Sequence, residues 1–462
     1  MNQPSGGDGR FNPARRKLLA GFAASAAGAA VATGCGDSST VAENPSNASL
    51  PDPARSGIDH VVVVMMENRS FDHYYGWLPG ADGRQAGRSF VDTAGKTQTS
   101  HHLTDFQNCA SADPDHSYEG GRKELNGGGM DGFLLPSTPG DTFPIGYYEE
   151  ADLAFHGPAA RNWTVCDRYF CSILAETYPN RFYMHSGQTS KLHNSDSPTT
   201  TSLPTIWDAL QAKGVSGNYY YSDLPFTAEY GSTYLGISLP FATFLLQAAA
   251  GTLPAVSYID PTFLGEGQGV SHDDHPLADI RNGQAFLNQV YNAVRTSPQW
   301  DKTLLIINYD EWGGFADHVE PGFAPITDAE KALGNDGRLG FRVPVVAIGP
   351  RARRGHVEHT QFDHTSILNL LVWRFGLTPW YPRASTSNNF ALALDFDNPP
   401  NTDAPAFNVP TGPFGQVCGL PALLPNGSSL GQVDAVARSR AAHILEMQML
   451  KAKAQRFGFP VY

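Results

Sequence analysis

Asp310 and Glu311 are adjacent carboxylates at the end of an apolar run, Thr303-Leu304-Leu305-Ile306-Ile307-Asn308-Tyr309, and Trp312-Gly313-Gly314 follows them. A second run, Ile58 to Met66, ends in the same manner with Glu67-Asn68-Arg69-Ser70-Phe71-Asp72. Charged groups at the carboxyl ends of buried α/β strands face the crevice where ligands bind. Two strands that deliver Glu67, Asn68, Asp310 and Glu311 to one rim supply oxygen donors. Such a set suits a single hard divalent cation, Mg, Ca or Mn. Taken alone, Glu67 also reads as a helix-start residue or a surface salt bridge, and Asp310-Glu311 as the opening of a turn before Gly313-Gly314.

Thr177 stands in Glu176-Thr177-Tyr178-Pro179-Asn180-Arg181. A hydroxyl becomes a good nucleophile when a metal or a base withdraws its proton. A Thr before Tyr-Pro-Asn also suits a turn or a helix cap. Ser172 and Ser186 are neighbouring hydroxyls outside that motif. The histidines set among the motifs are His116, in Asp115-His116-Ser117, the one in Asp274-His275, and the late His359 and His364. Imidazole titrates near neutrality and is the natural proton donor to a leaving alkoxide. His272-Asp273-Asp274-His275 also has the composition of a second metal site.

The elements that must carry these groups alternate. The pattern predicts strands over 58–66, 216–221, 303–309 and 343–349, and helices over 205–213, 283–296 and 365–375. This alternation predicts an α/β fold with a mostly parallel sheet covered on both faces. A loop-rich stretch runs to about residue 160, residues 398–433 read as a wrapping loop, and 434–456 has helical periodicity. Residues 56–462 therefore read as one catalytic domain ending in a helix. The chain has 462 residues, 41% hydrophobic and 17% charged, an ordinary globular composition. Its net charge of -13 argues against nucleic acid as a partner.

Residues 1–34 have the pattern of a twin-arginine export signal, with Arg15-Arg16-Lys17-Leu18-Leu19 opening an Ala/Gly-rich apolar stretch. That stretch is too short and too rich in small residues for a durable span. Ala32-Thr33-Gly34-Cys35 is similar to a lipoprotein cleavage box, with Ala32 where Leu is usual, so Cys35 is expected to carry a lipid anchor. A plain signal peptide cleaved nearby is the alternative. Residues 35–55 are polar and read as a flexible tether. The expected location is periplasmic and lipid-anchored to a membrane, or secreted. In an oxidising compartment Cys109, Cys166, Cys171 and Cys418 could form two disulfides, in any of three connectivities.

Seven segments occur in order: Glu67-Asn68-Arg69-Ser70-Phe71-Asp72-His73, Asp115-His116-Ser117, Met130-Asp131-Gly132-Phe133, Thr177-Tyr178-Pro179-Asn180-Arg181, Asp274-His275-Pro276, Tyr309-Asp310-Glu311 and Asp363-His364-Thr365-Ser366. With them the chain resembles the bacterial phospholipase C/acid phosphatase family of phosphoesterases, over about residues 57–376. The resemblance implies an alkaline phosphatase-like three-layer sandwich with long loops over the carboxyl-end rim. It implies an exported, metal-dependent phosphoric ester hydrolase in which Thr177 is both nucleophile and metal ligand and forms a phosphothreonine intermediate. Glu67, Asn68, Asp310 and Glu311 would complete the metal site, with His116, Asp274, His275, His359 and His364 around the phosphate. Glu311 stands where two-metal relatives place a His, and Trp312 where many relatives carry His or Asn.

The implied substrate is a phosphate ester or a phospholipid. A choline lipid would need an aromatic cage, for which Trp77, Trp312, Tyr74, Tyr75 and Tyr219–Tyr221 are available. The rival reading is a non-catalytic surface lipoprotein that binds phosphate or phospholipid. Sulfuryl transfer on the same fold would need a modifiable Cys or Ser in a local motif that Cys171 lacks.

Overall fold

The two apolar runs that end in carboxylates are neighbouring strands. In the computed structural model, which describes residues 44–197, 199–419 and 430–462, the main sheet contains β1 (His60–Met66), β2 (Thr164–Cys166), β3 (Gly217–Tyr221), β4 (Ser238–Pro240), β5 (Val256–Asp260), β6 (Thr303–Tyr309), β7 (Val346–Ile348) and β8 (His356–Glu358). Their spatial order is β8-β2-β7-β6-β1-β5-β3-β4. β7 runs antiparallel to both its neighbours, and every other pairing is parallel. The expected α/β class with a mostly parallel sheet is thus what the chain forms.

β6 is buried throughout and β1 at every residue after His60. An unbroken apolar run belongs to a strand covered on both faces. Successive strand side chains point to opposite faces, and the end of β6 shows what lies on each. Asn308 reaches the sulfur of Met184 at 3.9 Å, while the Tyr309 hydroxyl meets His156 Nε2 at 3.0 Å. Seven of the α-helices among the described residues are α1 (Phe71–Tyr75), α2 (His156–Asn162), α3 (Thr177–Ser186), α4 (Ile206–Lys213), α5 (Ile280–Arg295), α6 (His364–Phe375) and α7 (Leu430–Arg456). α3, α4 and α6 share the Met184 side. There Trp207 donates to His185 at 3.0 Å, and α6 packs on α3. α2 and α5 share the other, where Tyr291 packs on Phe155 and Trp163. Local sequence sets the helix ends. Thr205 and Asp208 form a capping box and Gly214 closes α4 in the left-handed region. Asp363 caps α6.

The register of β1 on β6 runs from His60 beside Thr303 to Met66 beside Tyr309. Glu67 and Asp310 therefore leave the sheet side by side.

Three expectations are corrected. The tether over 35–55 is not free along its described part. Asn44 Nδ2 donates to the carbonyls of Ala384 and Ser387, each at 2.8 Å, two short 3-10 turns follow at Pro45–Ser49 and Pro53–Arg55, and Leu50 packs against the core. Of the two disulfides considered, one forms, Cys109–Cys418. Cys166 and Cys171 are buried thiols, the first inside β2. The terminal helix begins at Leu430 rather than 434. The twin-arginine segment and Cys35 lie outside the described residues, and among those residues no helix is long and apolar enough to cross a membrane.

Candidate active site

The rim over β1 and β6 is built by backbone hydrogen bonds. The Asp310 N–H donates to the Met66 carbonyl at 3.1 Å, and the Arg69 N–H to the Glu311 carbonyl at 3.1 Å. Asn68 turns the chain in the left-handed region, φ 61°, which Asn tolerates better than most residues. Its N–H then donates to Asp310 Oδ1 at 3.0 Å, where Glu311 N–H also donates at 2.7 Å. Gly313 is required by this approach: a Cβ there would stand 2.2 Å from the Asn68 carbonyl oxygen. Trp312 is buried and donates to Glu124 at 2.7 Å, so it braces the loop. Tyr74, Tyr75 and Tyr219 are likewise core residues with buried partners, at Asp274, His156 and Asp260 respectively.

Thr177 opens α3, and Asn180 explains the motif around it. The Asn180 amide donates to the carbonyls of Ile173 at 3.1 Å and Ala175 at 2.8 Å, while its oxygen accepts the Ile173 N–H at 3.1 Å. That stitching fixes the loop which delivers Thr177. The Thr177 hydroxyl lies beside the Asp310 carboxylate and helps to support its charge. Arg181, four residues on and so on the same helix face, reaches Glu67 Oε1 at 3.0 Å, Asp260 Oδ1 at 2.9 Å and Asp310 Oδ2 at 3.6 Å. The structure thus brings Glu67, Asn68, Thr177, Asp310 and Glu311 together, with Arg181 between them.

These acids are crowded and dry. Burial pushes Glu67 up to about 8 against the pull of Arg181. Burial raises Asp310, and burial followed by the Asp310 charge holds Glu311 well above the usual carboxylate range. Asn68 Oδ1 and Glu311 Oε1 are buried acceptors with no hydrogen-bond donor, and Asp310 Oδ2 has only the Arg181 guanidinium, beyond hydrogen-bond reach at 3.6 Å. Each such orphan costs about 1–3 kcal/mol unless something positive meets it. An amide oxygen and crowded carboxylates fit a hard divalent cation. Closer His/carboxylate groupings, with ligand atoms within 4.8 Å of one another, occur among the described residues at Asp113–His116–His275, Glu266–His275–His443 and Asp72–Asp317–His318.

The predicted histidines separate into two sets. His116 faces the Pro114 carbonyl with Nδ1 at 2.9 Å, which leaves Nε2 aimed at the rim, 3.5 Å from the Asn68 amide and 4.0 Å from Glu311 Oε1. His275 has Nδ1 3.2 Å from Glu266 and Nε2 3.6 Å from Asp113. Burial opposes its charge, but Glu266 and Asp113 outweigh it and hold this imidazole well above its ordinary range. His364 lies beneath the site, with Nε2 2.7 Å from the Asp310 carbonyl and Nδ1 3.1 Å from the Tyr169 hydroxyl. His359 is not brought in. It follows edge strand β8, three strand spacings or about 15 Å from β6, and pairs with Asp167 at 2.9 Å. The Asp274 carboxylate also turns away: it accepts from Tyr309 at 2.6 Å and Tyr74 at 3.1 Å. Its carbonyl, held by Arg69 Nε at 2.8 Å, is what helps place His275.

Several functional neighbours carried no assignment from sequence. Arg181 sits in a recognised motif at helical spacing from Thr177, and that spacing was signal enough. Glu266 and Asp113 lie in segments without periodicity or motif, and His443 lies in the periodic stretch 434–456 but in no motif. His443 comes from α7, stacks on His275 with ring centroids 4.3 Å apart, and meets Glu266 at 2.7 Å.

The chain matches the Phosphoesterase family over residues 58–378. It is 31% identical over 403 residues to Non-specific phospholipase C1 of Arabidopsis thaliana, covering 78% of this chain and 75% of that protein. It is 32% identical over 459 residues to Phospholipase C B of Mycobacterium tuberculosis, covering 82% and 85%. Non-hemolytic phospholipase C of Pseudomonas aeruginosa is 30% identical, with 84% of this chain and 65% of that protein covered. Among solved structures, a protein in the alkaline phosphatase superfamily from Vibrio parahaemolyticus superposes with a TM-score of 0.36 and 10% identity, over 72% of this chain and 73% of that one.

Proposed function

The chain belongs to the Phosphoesterase family and is a phosphoric ester hydrolase, and on that premise we propose that Thr177 is its nucleophile. The observation that carries this reading is the Thr177 hydroxyl set beside the Asp310 carboxylate, at a rim whose buried acceptors have no donor. Thr177 Oγ1 attacks phosphorus in line and its proton passes to Asp310, whose basicity burial increases. The P–O bond to the leaving group breaks, and His275 or His116 donates a proton to the departing oxygen. Arg181 holds Glu67 and Asp310 in place throughout. Water then attacks the phosphothreonine, releasing phosphate or a phosphomonoester and restoring the Thr177 hydroxyl. A divalent cation bound by Glu67, Asn68, Thr177, Asp310 and Glu311 would neutralise phosphate charge and sharpen the nucleophile.

A phospholipid or a simpler phosphate ester is the proposed substrate class, since relatives are named phospholipase C. We also propose export by the twin-arginine route and acylation at Cys35. The Cys109–Cys418 bond suits the oxidising compartment that this implies.

Thr177→Ala, purified beside the wild type, tests the central step with a chromogenic phosphate ester and, separately, with phosphatidylcholine. Loss of turnover by about 1000-fold or more in a folded variant is expected. Near-normal turnover would remove Thr177 as nucleophile. Ester binding without turnover by the wild type would favour the non-catalytic binding protein.

A further inference from the structure

We propose that the outward face of α7 docks on an anionic lipid bilayer, directly over the openings that flank the candidate site. α7 runs between two cavities. One, of about 360 Å³, extends from Asp113 and His275 to Ile444 and Met447. The other, of about 510 Å³, extends from Glu176 and Tyr178 to Leu445 and Met449. The inward face of the helix is anchored. Val436, Met447, Leu450 and Ala454 are buried, His443 meets Glu266, and Glu446 accepts from Asn194 Nδ2 at 2.7 Å.

The outward face has the opposite character. Ile444, Leu445 and Met449 are 55%, 57% and 46% exposed on consecutive turns, with exposed Ala441, Ala442 and Ala452 around them. Isolated exposed apolar residues are ordinary, but three on one helix at the rims of two cavities form a patch. Its exposed charges from 437 to 456 are Arg438, Lys451 and Arg456, all basic. The carboxylate in that span, Glu446, is turned inward to Asn194. Arg438 pairs with Asp434 one turn earlier, which leaves Lys451 and Arg456 at the far end of the patch.

A basic, apolar face on a chain of net charge -13 is a local exception that complements an anionic surface. Apolar side chains flanked by Lys and Arg are the composition of a helix that lies in the headgroup layer. The position over the site has meaning only if the substrate is a phosphoric ester carried by lipid, so the purpose of the contact rests on the function proposed above. The contact itself rests on the helix.

The test uses the full chain carrying Cys35→Ser, which cannot be acylated, and Ala441→Cys labelled with an environment-sensitive dye, which reports α7 and not the N-terminus. Vesicles are equimolar phosphatidylcholine and phosphatidylglycerol. A blue shift that salt weakens is expected. In the same background Ile444→Ser with Leu445→Ser and Met449→Ser should weaken docking by on the order of 100-fold, while hydrolysis of a water-soluble chromogenic ester stays at the wild-type rate. No shift, an equal shift in the triple variant, or a shift that grows with protein concentration without vesicles would overturn the proposal. A parent chain that docks but hydrolyses no ester would sink the proposed function and leave the docking surface standing.

Discussion

Asn68 donates its backbone N–H to the Asp310 carboxylate at 3.0 Å, across the ends of β1 and β6. This bond exists because Asn68 adopts φ 61°, and the same turn leaves its amide oxygen buried without a donor. Backbone and ligand roles can therefore be separated. Asn68→Gly keeps the turn and loses the oxygen, whereas Asn68→Ala keeps a Cβ in the left-handed region without the short polar side chain that makes Asn tolerant of it. Asn68→Gly should fold within about 1 kcal/mol of the wild type yet bind Mg, Ca or Mn at least ~10-fold more weakly. Calorimetric titration beside urea melts checks both. Undiminished ion affinity in Asn68→Gly would take Asn68 out of the ligand set.

The buried carboxylates at Glu67, Asp310 and Glu311 make ion binding a stability matter. An ion at 100 times its dissociation constant should add about 2.7 kcal/mol. Chelation should accordingly lower the melting temperature by a few degrees, roughly 2–5 °C. Glu311→Gln removes one charge while keeping a side-chain oxygen for the Gly313 N–H, which Glu311 Oε2 now accepts at 2.7 Å. This variant should show a smaller ion-dependent gain in thermal melts. A gain equal to the wild type's would exclude Glu311 as a ligand.

Asp274 supplies a pH signature. Burial raises its carboxyl to about 6, and Arg69, Tyr309 and Tyr74 offset only part of that effect. Because the folded-state value lies above the ordinary one, this group's stabilisation is complete below about pH 4 and is lost as pH rises through 6. Asp274→Asn lacks that slope. Its stability relative to the wild type should rise by about 2–3 kcal/mol between pH 4 and 6, read from urea midpoints. Turnover should stay within about 10-fold, since the carboxylate faces tyrosines and not the rim. A folded Asp274→Asn protein without activity would restore Asp274 to the chemistry.

The Cys109–Cys418 bond joins residues 309 apart and ties down the segment that leads towards α7. Cys418 N–H also donates to the Gly267 carbonyl at 2.8 Å, and Gln107 to the Gln416 carbonyl at 2.8 Å. Cys418→Ser should cost about 2–4 kcal/mol by urea unfolding without reductant. A cost below about 0.5 kcal/mol would mean that the other contacts hold the segment without it.

Legibility followed length and periodicity. β1, β3 and β6, and the helices α4, α5 and α6, were readable because apolar runs and helical repeats are written in consecutive residues. β2, β4 and β8 have three residues each, too few to carry a period. β5 is five residues long and lies directly beside β1, but its Val256-Ser257-Tyr258-Ile259-Asp260 mixes polar and apolar types as a loop would. Asp274 and His359 show the same limit at the site. Each looked chemical by type and motif, yet one carboxylate turns to buried tyrosines and one ring sits on the sheet edge.

What the sequence determined by itself is the α/β class, the carboxylates at the ends of two buried strands, and the Thr-Tyr-Pro-Asn-Arg opening of α3. These follow from short-range preferences, since burial of an apolar run decides a strand and leaves its charged end at the rim. Only the tertiary structure decided that Arg181 bridges Glu67, Asp260 and Asp310, that Glu266 and His443 close on His275, and that α7 lies over the site. Apart from Glu266 and His275, nine residues apart on one loop, those contacts join segments tens to hundreds of residues apart. Strand register and the direction each side chain leaves the backbone select them, and both are settled when the whole core packs.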